Sequence, residues 1–394
     1  MSPTRRSVSP TRRVPMVDLP AQYASLRTAL DEAISRVLAT QRFIGGPEVE
    51  ALEGTLASLC GTEFAVACAS GSDALMLSLQ AAGVGPGDDV LCPAFTFFAT
   101  AGAVARLGAR PVFVDVDPDT LDVGPPEAEA GAARCRRLRA MIPVDLFGRV
   151  APMGPLCDWA EARNVAVIED SAQAIGARDP DGTPAGARGL AGCFSFFPSK
   201  NLGGFGDGGV VTSRSEPLVA RLRELRNHGQ GPDGLHRVVG TNSRLDAIQA
   251  AVLRVKLLHL SSWTKQRGEN ADFYDQRFAE SGALPAGRGP ADAPLRTPPP
   301  VPAPAVHVYN QYVVRVRSDL RDALRTHLAE RGVETRVYYE RGLHHEPCFA
   351  GLETPPLPAT EAACHETLAL PVHPELSAAD REHVAESVLE FLSR

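Results

Sequence analysis

The sequence predicts an α/β protein in which a mostly parallel seven-stranded sheet is followed by a smaller C-terminal α+β domain. A chain of 394 residues is long enough to bury one large core and a smaller one. Short apolar, β-branched runs alternate with helix-like stretches from about residue 47 to residue 260. This alternation is typical of a parallel sheet with helices on both faces. It stops at a proline-rich stretch after residue 283, which indicates a change of architecture.

Seven segments have the length and composition of buried strands. They are FAVACAS (64–70), DVLCPAF (89–95), RPVFVDVD (110–117), RAMIPVDLF (139–147), VAVIED (165–170), GCFSFF (192–197) and GGVVTS (208–213). Helix-like segments such as SDALMLSLQAAG and MGPLCDWAEARN lie between several of them. The proline-rich segment LPAGRGPADAPLRTPPPVPAPA is predicted to be an extended connection.

The segments after this connection suit a small α+β domain. They are VYNQYVVRV, the helix RDALRTHLAERG, ETRVYYE and a final helix from about Ala378 to Arg394. Residues 1–14 are basic and rich in Ser and Pro, and no apolar stretch follows them, so they indicate a disordered tail rather than a secretory signal. We therefore predict a large domain over residues 15–260 and a small domain over residues 261–394.

Composition favours a cytoplasmic enzyme over other classes of protein. A formal charge of -7 gives no reason to expect a nucleic-acid partner. No apolar run approaches membrane-spanning length. The 8 cysteines include no C-x-x-C pair, so free thiols in a reducing compartment are expected, and no metal site is predicted.

Lys200 is the first candidate for chemistry. The chain has only three lysines, and Lys200 follows an apolar strand and Pro198 and precedes a glycine-rich loop. Partial desolvation there would favour the neutral, nucleophilic amine. The alternative is a surface lysine in a loop. Lys256 and Lys265 resemble surface lysines of helices.

Asp170 lies at the carboxyl end of the predicted strand VAVIED, where ligands bind in doubly wound sheets. A carboxylate there can keep a pyridine nitrogen protonated, which makes the ring of a cofactor an electron sink. Gln173 is suited to hydrogen-bond a phenolic oxygen on such a ring. The alternative is a helix N-cap at Asp170, completed by Gln173.

An anion site is predicted where the helix in ASGSDALMLSLQ begins, near Ser72. The N–H groups of Gly71 and Ser72 can bind a phosphate, and Ser195 can add a hydroxyl. The alternatives are an ordinary N-cap at Ser72 and a satisfied core serine at Ser195.

Phe97 could stack on a cofactor ring or pack in the core. The segment GFGDGG precedes a strand and opens no helix, so it does not indicate a dinucleotide site.

Taken together, these segments resemble the DegT/DnrJ/EryC1/StrS family of sugar aminotransferases. The resemblance covers nearly the whole chain from about residue 15, and its specificity comes from the joint order of its motifs. The matching segments are FIGGPEVEALE, ASGSDALMLSLQAAGVGPGDDV, PAFTFFATAGAV, GARPVFVDVDPDT, VIEDSAQAIGA, SFFPSKNLGGFGDGG, NSRLDAIQAAVLRVKL, HVYNQYVVR and LALPVHP.

The resemblance implies an aspartate-aminotransferase-like fold with pyridoxal 5′-phosphate (PLP) as cofactor. Lys200 would hold the cofactor and move the proton, and Asp170 would bind the ring nitrogen. The other implied contacts are Gln173 to the phenolic oxygen, Phe97 to the ring, and Gly71, Ser72 and Ser195 to the phosphate. Asn242 would reach the phosphate of the neighbouring subunit of a homodimer, and Arg244 and Tyr309 would face the substrate. A capping pair of Ser243 and Asp246 is the other interpretation of NSRLD.

The implied reaction moves an amino group from L-glutamate to a keto group of a UDP- or dTDP-linked sugar, with 3-keto favoured over 4-keto. Such amino sugars serve surface polysaccharides or secondary metabolites.

The chain departs from the pattern at Asp145, where many relatives have histidine, and at Glu340 and Arg341, where they often have prolines. The alternatives are a dehydratase of the same family, which would have histidine at Lys200, and a regulator without turnover.

Overall fold

The predicted seven-stranded sheet is present in a computed structural model that describes residues 12–394. Its strands are β1 (Phe64–Cys68), β2 (Asp89–Pro93), β3 (Arg110–Val114), β4 (Leu138–Met141), β5 (Ala166–Asp170), β6 (Ala191–Ser195) and β7 (Gly209–Ser213). Their order across the sheet is β1-β7-β6-β5-β4-β2-β3. Strands β6, β5, β4, β2 and β3 pair in parallel, and β7 is antiparallel to both β1 and β6. The predicted fold class is confirmed.

The strand directions place several loops at one edge of this sheet. Because β1 and β6 are both antiparallel to β7, they are parallel to each other and to the remaining four strands. The carboxyl ends of these six strands therefore share one edge, which is where ligands bind in open α/β sheets. Ser72 and Lys200 follow β1 and β6, and Asp170 is the last residue of β5.

Helices cover both faces of the sheet. In chain order they are α1 (Leu19–Thr40), α2 (Pro47–Leu59), α3 (Gly71–Ala81), α4 (Ala99–Arg106), α5 (Pro125–Ala132), α6 (Met153–Glu161), α7 (Glu216–Leu225), α8 (Ala247–Leu257), α9 (Leu260–Glu280), α10 (Ser318–Glu330), α11 (Pro358–Glu366) and α12 (Ala378–Leu392). Successive strand residues enter different cores, as Val167 packs in one apolar cluster and Ile168 in the other. This explains why the strands are apolar on both faces.

A second, four-stranded sheet lies in the C-terminal part. Its order is β11-β10-β9-β8, with β8 (Leu284–Pro285), β9 (Leu295–Thr297), β10 (Tyr312–Val316) and β11 (Thr367–Leu370). A separate apolar core includes the buried Tyr274, Tyr312 and Leu328. The proline-rich segment is not wholly an extended connection, because it contains β8 and β9. Leu295 is buried and provides the apolar contact that its prolines do not.

The N-terminal residues join the fold earlier than predicted. Val14 is 1% exposed, its N–H donates to the carbonyl of Gly332, and it forms a parallel bridge with Val333. Arg13 pairs with Glu334. The chain is therefore part of the fold from residue 12 and not from residue 15. Residues 1–11, the rest of the predicted tail, lie outside the described residues.

No helix within residues 12–394 has both the length and the apolar character that a bilayer span requires.

The prediction that Lys256 is a surface lysine is wrong. Helix α1 covers α8, so that Leu30 packs against Val252, and Lys256 is only 3% exposed. Its Nζ donates to the carbonyl of Gly203 at 2.8 Å and lies 5.1 Å from the centre of the Phe205 ring. Burial lowers the pKa of Lys256 to about 8, against the opposing charge of Glu375. A buried amine thus supports the loop that follows Lys200.

Replacing Lys256 by methionine is expected to remove a pH dependence of stability. At Lys256 the unfolded chain, with an ordinary lysine pKa, binds more protons than the folded chain between pH 8 and about 10.5, so the contribution of this residue to stability rises across that window. The rise from this group is about 3 kcal/mol. Urea unfolding at several pH values measures it. Lys265→Met, in a side chain 80% exposed, is the matched control and should keep the wild-type profile.

Candidate active site

The first turn of α3 offers free backbone donors, as predicted for a phosphate site. The helix begins at Gly71, and its N-cap is Ser70, whose hydroxyl accepts from the N–H of Asp73. Among residues 12–394, the N–H groups of Gly71 and Ser72 meet no acceptor. The alternative interpretation of Ser72 as the cap is therefore wrong, and its hydroxyl is not used for capping.

Ser195 lies directly against this turn. It is the last residue of β6, and a Cβ placed on Gly71 would be 2.7 Å from the Cβ of Ser195. Position 71 must therefore be glycine for the two segments to meet. Ser195 is half-buried, and its Oγ accepts weakly from the N–H of Phe197 at 3.3 Å, so the hydroxyl proton remains available. The Ser195 hydroxyl therefore lies next to the turn in which the N–H groups of Gly71 and Ser72 are free.

Asp170 is buried at the carboxyl end of β5. Its Oδ2 accepts from the Thr100 hydroxyl at 2.7 Å, and its Oδ1 accepts from the N–H of Ala172 at 3.3 Å. Burial raises the pKa of Asp170, while the bond from Thr100 and the charge of Lys200 oppose the rise. Residues 171–190, all of which are described, form turns and no helix, so the N-cap interpretation of Asp170 is wrong.

Lys200 lies in a turn just after β6, where its N–H donates to the carbonyl of Phe197 at 2.8 Å. The residue is half-buried. Desolvation lowers the pKa of Lys200 to about 8, and the nearby charge of Asp170 partly opposes this. At pH 8 about half of these amines are neutral, against about one in 300 for an ordinary lysine. The charges of Lys200 and Asp170 thus act on each other's pKa.

Gln173 is held by two hydrogen bonds that the sequence does not reveal. Its Oε1 accepts from the N–H of Phe147 at 2.6 Å, and its Nε2 donates to the Tyr339 hydroxyl at 3.2 Å. These bonds fix which way the amide points, and they leave one N–H of Nε2 for a ligand. Gln173 caps no helix. Burial raises the pKa of Tyr339, so its hydroxyl stays protonated and can donate in turn.

Thr100 and Tyr339 are site residues that the sequence analysis missed. Thr100 lies in α4 and Tyr339 in the C-terminal part, 70 and 166 residues from their respective partners Asp170 and Gln173. Neither residue stands in a local motif that indicates such a contact.

Phe97 is 59% exposed, so the interpretation as a core residue is wrong. The adjacent Phe98 stacks on Phe349, with ring centres 5.8 Å apart, and this anchors the segment. The Phe97 ring is thus free to contact a ligand.

The NSRLD segment is tied to the first turn of α3. The Ser243 hydroxyl donates to Asp73 at 2.8 Å, and the Asp246 side chain caps nothing although α8 begins after it, so the predicted capping pair is wrong. Asn242 is exposed. The Arg244 guanidinium donates to the amide oxygen of Asn227, which holds it against the segment that follows α7.

The Tyr309 ring stacks on the His307 ring, with ring centres 3.9 Å apart. The backbone of Tyr309 is left-handed, with a φ of 42°. Its segment is joined to the residue after Lys200, because the Asn201 amide donates to the carbonyl of Val308 at 2.8 Å. This bond holds the segment of Tyr309 against the loop that contains Lys200.

Asp145, where the sequence analysis notes a departure from the family pattern, supports the backbone at Asp170. Its backbone N–H donates to the carbonyl of Asp170 at 3.0 Å, and its Oδ2 accepts from the Ser171 hydroxyl at 2.6 Å. Burial, reinforced by the charge of Glu169, raises the pKa of Asp145 well above its usual value. The substitution leaves the predicted cofactor residues in place.

The residues present fit PLP: a partly neutral amine, a buried carboxylate and a free set of phosphate donors at the carboxyl edge of a parallel sheet. This fold and this site define a PLP-dependent enzyme of the aspartate-aminotransferase-like class. The chain belongs to the DegT/DnrJ/EryC1/StrS aminotransferase family, whose profile matches residues 25–389.

Similar proteins include a "Pleiotropic regulatory protein" of Geobacillus stearothermophilus, 42% identical over 96% of this chain and 98% of that protein. A "dTDP-3-amino-3,4,6-trideoxy-alpha-D-glucose transaminase" of Streptomyces venezuelae is 41% identical, covering 98% of this chain and 97% of its own. The crystal structure of S. venezuelae DesV in complex with a ketimine intermediate superposes with a TM-score of 0.89, at 39% identity, over 98% of this chain and 100% of that one.

Proposed function

We propose that this aminotransferase moves an amino group from L-glutamate to the 3-keto group of a UDP- or dTDP-linked sugar. The observation that carries the proposal is the convergence of Lys200, Asp170 and the first turn of α3 at one edge of the sheet. The 3-keto preference is supported by the relative whose name specifies a 3-amino sugar.

When bound, PLP supplies an electron sink beside the substrate carbon. The residues of this chain bind and orient the cofactor and move the proton. Asp170 holds a proton on the ring nitrogen, and Thr100 orients that carboxylate. Gln173 donates to the phenolic oxygen, while Gly71, Ser72 and Ser195 bind the phosphate. The Lys200 amine is positioned to take a proton from the substrate carbon and return it, because its pKa of about 8 lies near working pH.

A homodimer with shared active sites is part of the proposal. Four large apolar side chains in segments near the site residues in sequence or in pairing are 44–59% exposed: Ile44, which forms a backbone bridge with Asp246, Phe97, Phe197 and Phe205. Large exposed apolar side chains are expected at an interface. The exposed Asn242 lies in the same NSRLD segment as Asp246 and is suited to bind the phosphate of the partner's site. The free state of all cysteines fits our assignment of the enzyme to the cytoplasm.

The substrate is identified by running the reaction in reverse. Nucleotide-linked 3-amino and 4-amino sugars, each on UDP and dTDP, are mixed with holoenzyme and 2-oxoglutarate, and L-glutamate formation is measured. We expect a 3-amino sugar to react at least about tenfold faster than its 4-amino isomer, since the positions differ in the distance to the Lys200 amine. Lys200→Ala is the matched inactive control.

Each other result identifies the part of the proposal that fails. A faster 4-amino sugar contradicts the keto position. Conversion to the amine form by a different amino donor contradicts L-glutamate. A protein that binds PLP but reacts with no donor is a regulator, as the Geobacillus relative is named. In that case, deletion of residues 1–11 tests whether the basic segment carries the regulatory interaction.

A further inference from the structure

We propose that His344, His345 and Glu361 bind a divalent transition-metal ion, with Zn²⁺ as the best match, on the surface beyond β3. The sequence analysis predicted no metal site. The three residues do not form a recognised spacing motif, since two are adjacent and the third follows after sixteen positions. The proposal does not depend on the amino-transfer reaction.

The donor atoms converge in space. One ligand atom from each of the three side chains lies within 4.8 Å of the other two. The Nε2 atoms of His344 and His345 are 3.9 and 3.8 Å from Oε1 of Glu361. Two donors about 2.0–2.2 Å from a tetrahedral zinc ion are roughly 3.3–3.5 Å apart. His345 and Glu361 are both exposed, so their side chains can move closer to complete the geometry.

The buried imidazole of His344 is the second observation that indicates a ligand. Its side chain is only 5% exposed, and neither ring nitrogen has a hydrogen-bond partner among residues 12–394. A buried polar group left without a partner costs about 1–3 kcal/mol. A metal ion bound at Nε2 would satisfy it, and two imidazoles with one carboxylate are a known zinc ligand set that leaves a fourth position for water.

The surrounding chain holds His344 and Glu361 in place. A Cβ on Gly342 would lie 2.6 Å from Cε1 of His344, so only glycine leaves room for the ring. Glu361 is in the first turn of α11, and Asp115 fixes that turn by accepting from the N–H groups of Ala359 and Thr360. The ligands therefore come from two rigid elements and not from one mobile loop.

The site is separate from the PLP site. It lies at the end of the edge strand β3, three strands from β5 in the order β5-β4-β2-β3, which is roughly 14 Å. The N–H of Leu343 donates to the carbonyl of Ala94, and the same segment carries Tyr339, which orients Gln173. A metal ion here would clamp the Tyr339 segment to α11 and would take no part in chemistry.

Metal binding is measured on tag-free holoenzyme after chelator treatment. We expect one Zn²⁺ per chain, determined by competition with a chromogenic chelator, and a Co²⁺ visible spectrum of the intensity typical of four-coordinate sites. His345→Gln and Glu361→Gln should each weaken binding at least about tenfold. Both positions are exposed, so the variants should fold. Zn²⁺ should raise the Tm of wild type but not of Glu361→Gln.

Two controls make the ligand assignment specific. His365→Gln changes an exposed histidine on the same helix, and Cys348→Ser removes the nearest exposed thiol. Both should bind Zn²⁺ as wild type does. Equal binding by all variants, loss in either control, or no stoichiometric binding by wild type would each overturn the proposal.

Discussion

Alanine in place of Lys200 is expected to lower amino transfer at least about 10³-fold, because the position loses both its covalent link to the cofactor and its proton-transfer group. The visible absorbance of the lysine-bound cofactor should disappear, while the cofactor can still bind through its phosphate. Steady-state transfer and absorbance spectra measure the two effects. Lys265→Ala, in an exposed side chain, should change neither.

The small number of lysines makes the attachment site directly testable. Hydride reduction of the holoenzyme followed by peptide mass analysis should place the cofactor on Lys200 and on neither of the other two. The rate at which cofactor-free protein takes up PLP should rise with pH and level off above about 8, since burial lowers the pKa of Lys200 to that value. Attachment to Lys256, whose pKa is similarly lowered, would contradict the assignment.

The Lys200→Ala variant also tests whether two subunits share each active site. Lys200→Ala chains keep Asn242, and Asn242→Ala chains keep Lys200. If Asn242 serves the partner's phosphate, random pairing of equal amounts makes half of the dimers mixed, each with one intact site. Activity should then recover to about a quarter of wild type. If Asn242 serves its own subunit, the mixture gives only the mean of the two variants.

The strands and the motif residues could be predicted from sequence because their signals are local. Seven apolar, β-branched runs became the seven strands of the first sheet, with ends shifted by a few residues. Asp170 and Ser195 are the last residues of β5 and β6, and parallel strands bring their carboxyl ends together. A correct assignment of parallel strands therefore already implies that these residues lie at the same edge of the sheet.

Contacts between distant segments could not be predicted in this way. Thr100 and Tyr339 reach Asp170 and Gln173 across long stretches of chain, and no period or spacing marks them. Lys256 was misjudged for a related reason. Helix α8 is apolar on more than one face, since Leu253 packs in the main core and Val252 packs against α1, but the sequence does not show that Lys256 lies under a covering segment. The His344 cluster likewise depends on how α11 meets the preceding turn.

Replacement of Asp170 by alanine is expected to lower amino transfer at least about 10²-fold while the Lys200 attachment survives. The carboxylate raises the pKa of the ring nitrogen, and each pKa unit lost corresponds to about 1.4 kcal/mol, or tenfold in the protonated fraction. The loss should appear mainly in kcat, because the ring charge matters as the substrate carbon loses its proton. Single-turnover rates with L-glutamate isolate that step.

Glu169→Gln separates this electronic effect from simple destabilisation. Glu169 is adjacent in β5 but points to the opposite face, where it accepts from the N–H groups of Gly186 and Arg188. Its replacement should lower the free energy of unfolding and leave the cofactor spectrum unchanged. In Asp170→Ala, the retained spectrum of attached cofactor would show that the site is assembled.

An N-methylated analogue of PLP, whose ring nitrogen carries a fixed positive charge, gives the decisive comparison. It needs no carboxylate to hold a proton, so it should restore a substantial part of the activity of Asp170→Ala. In wild type the same analogue should offer no gain, because the ring is already protonated. If the analogue fails to improve the variant, then Asp170 acts by orienting Thr100 and the loop after β5. The electronic role that its burial and position indicate would then be wrong.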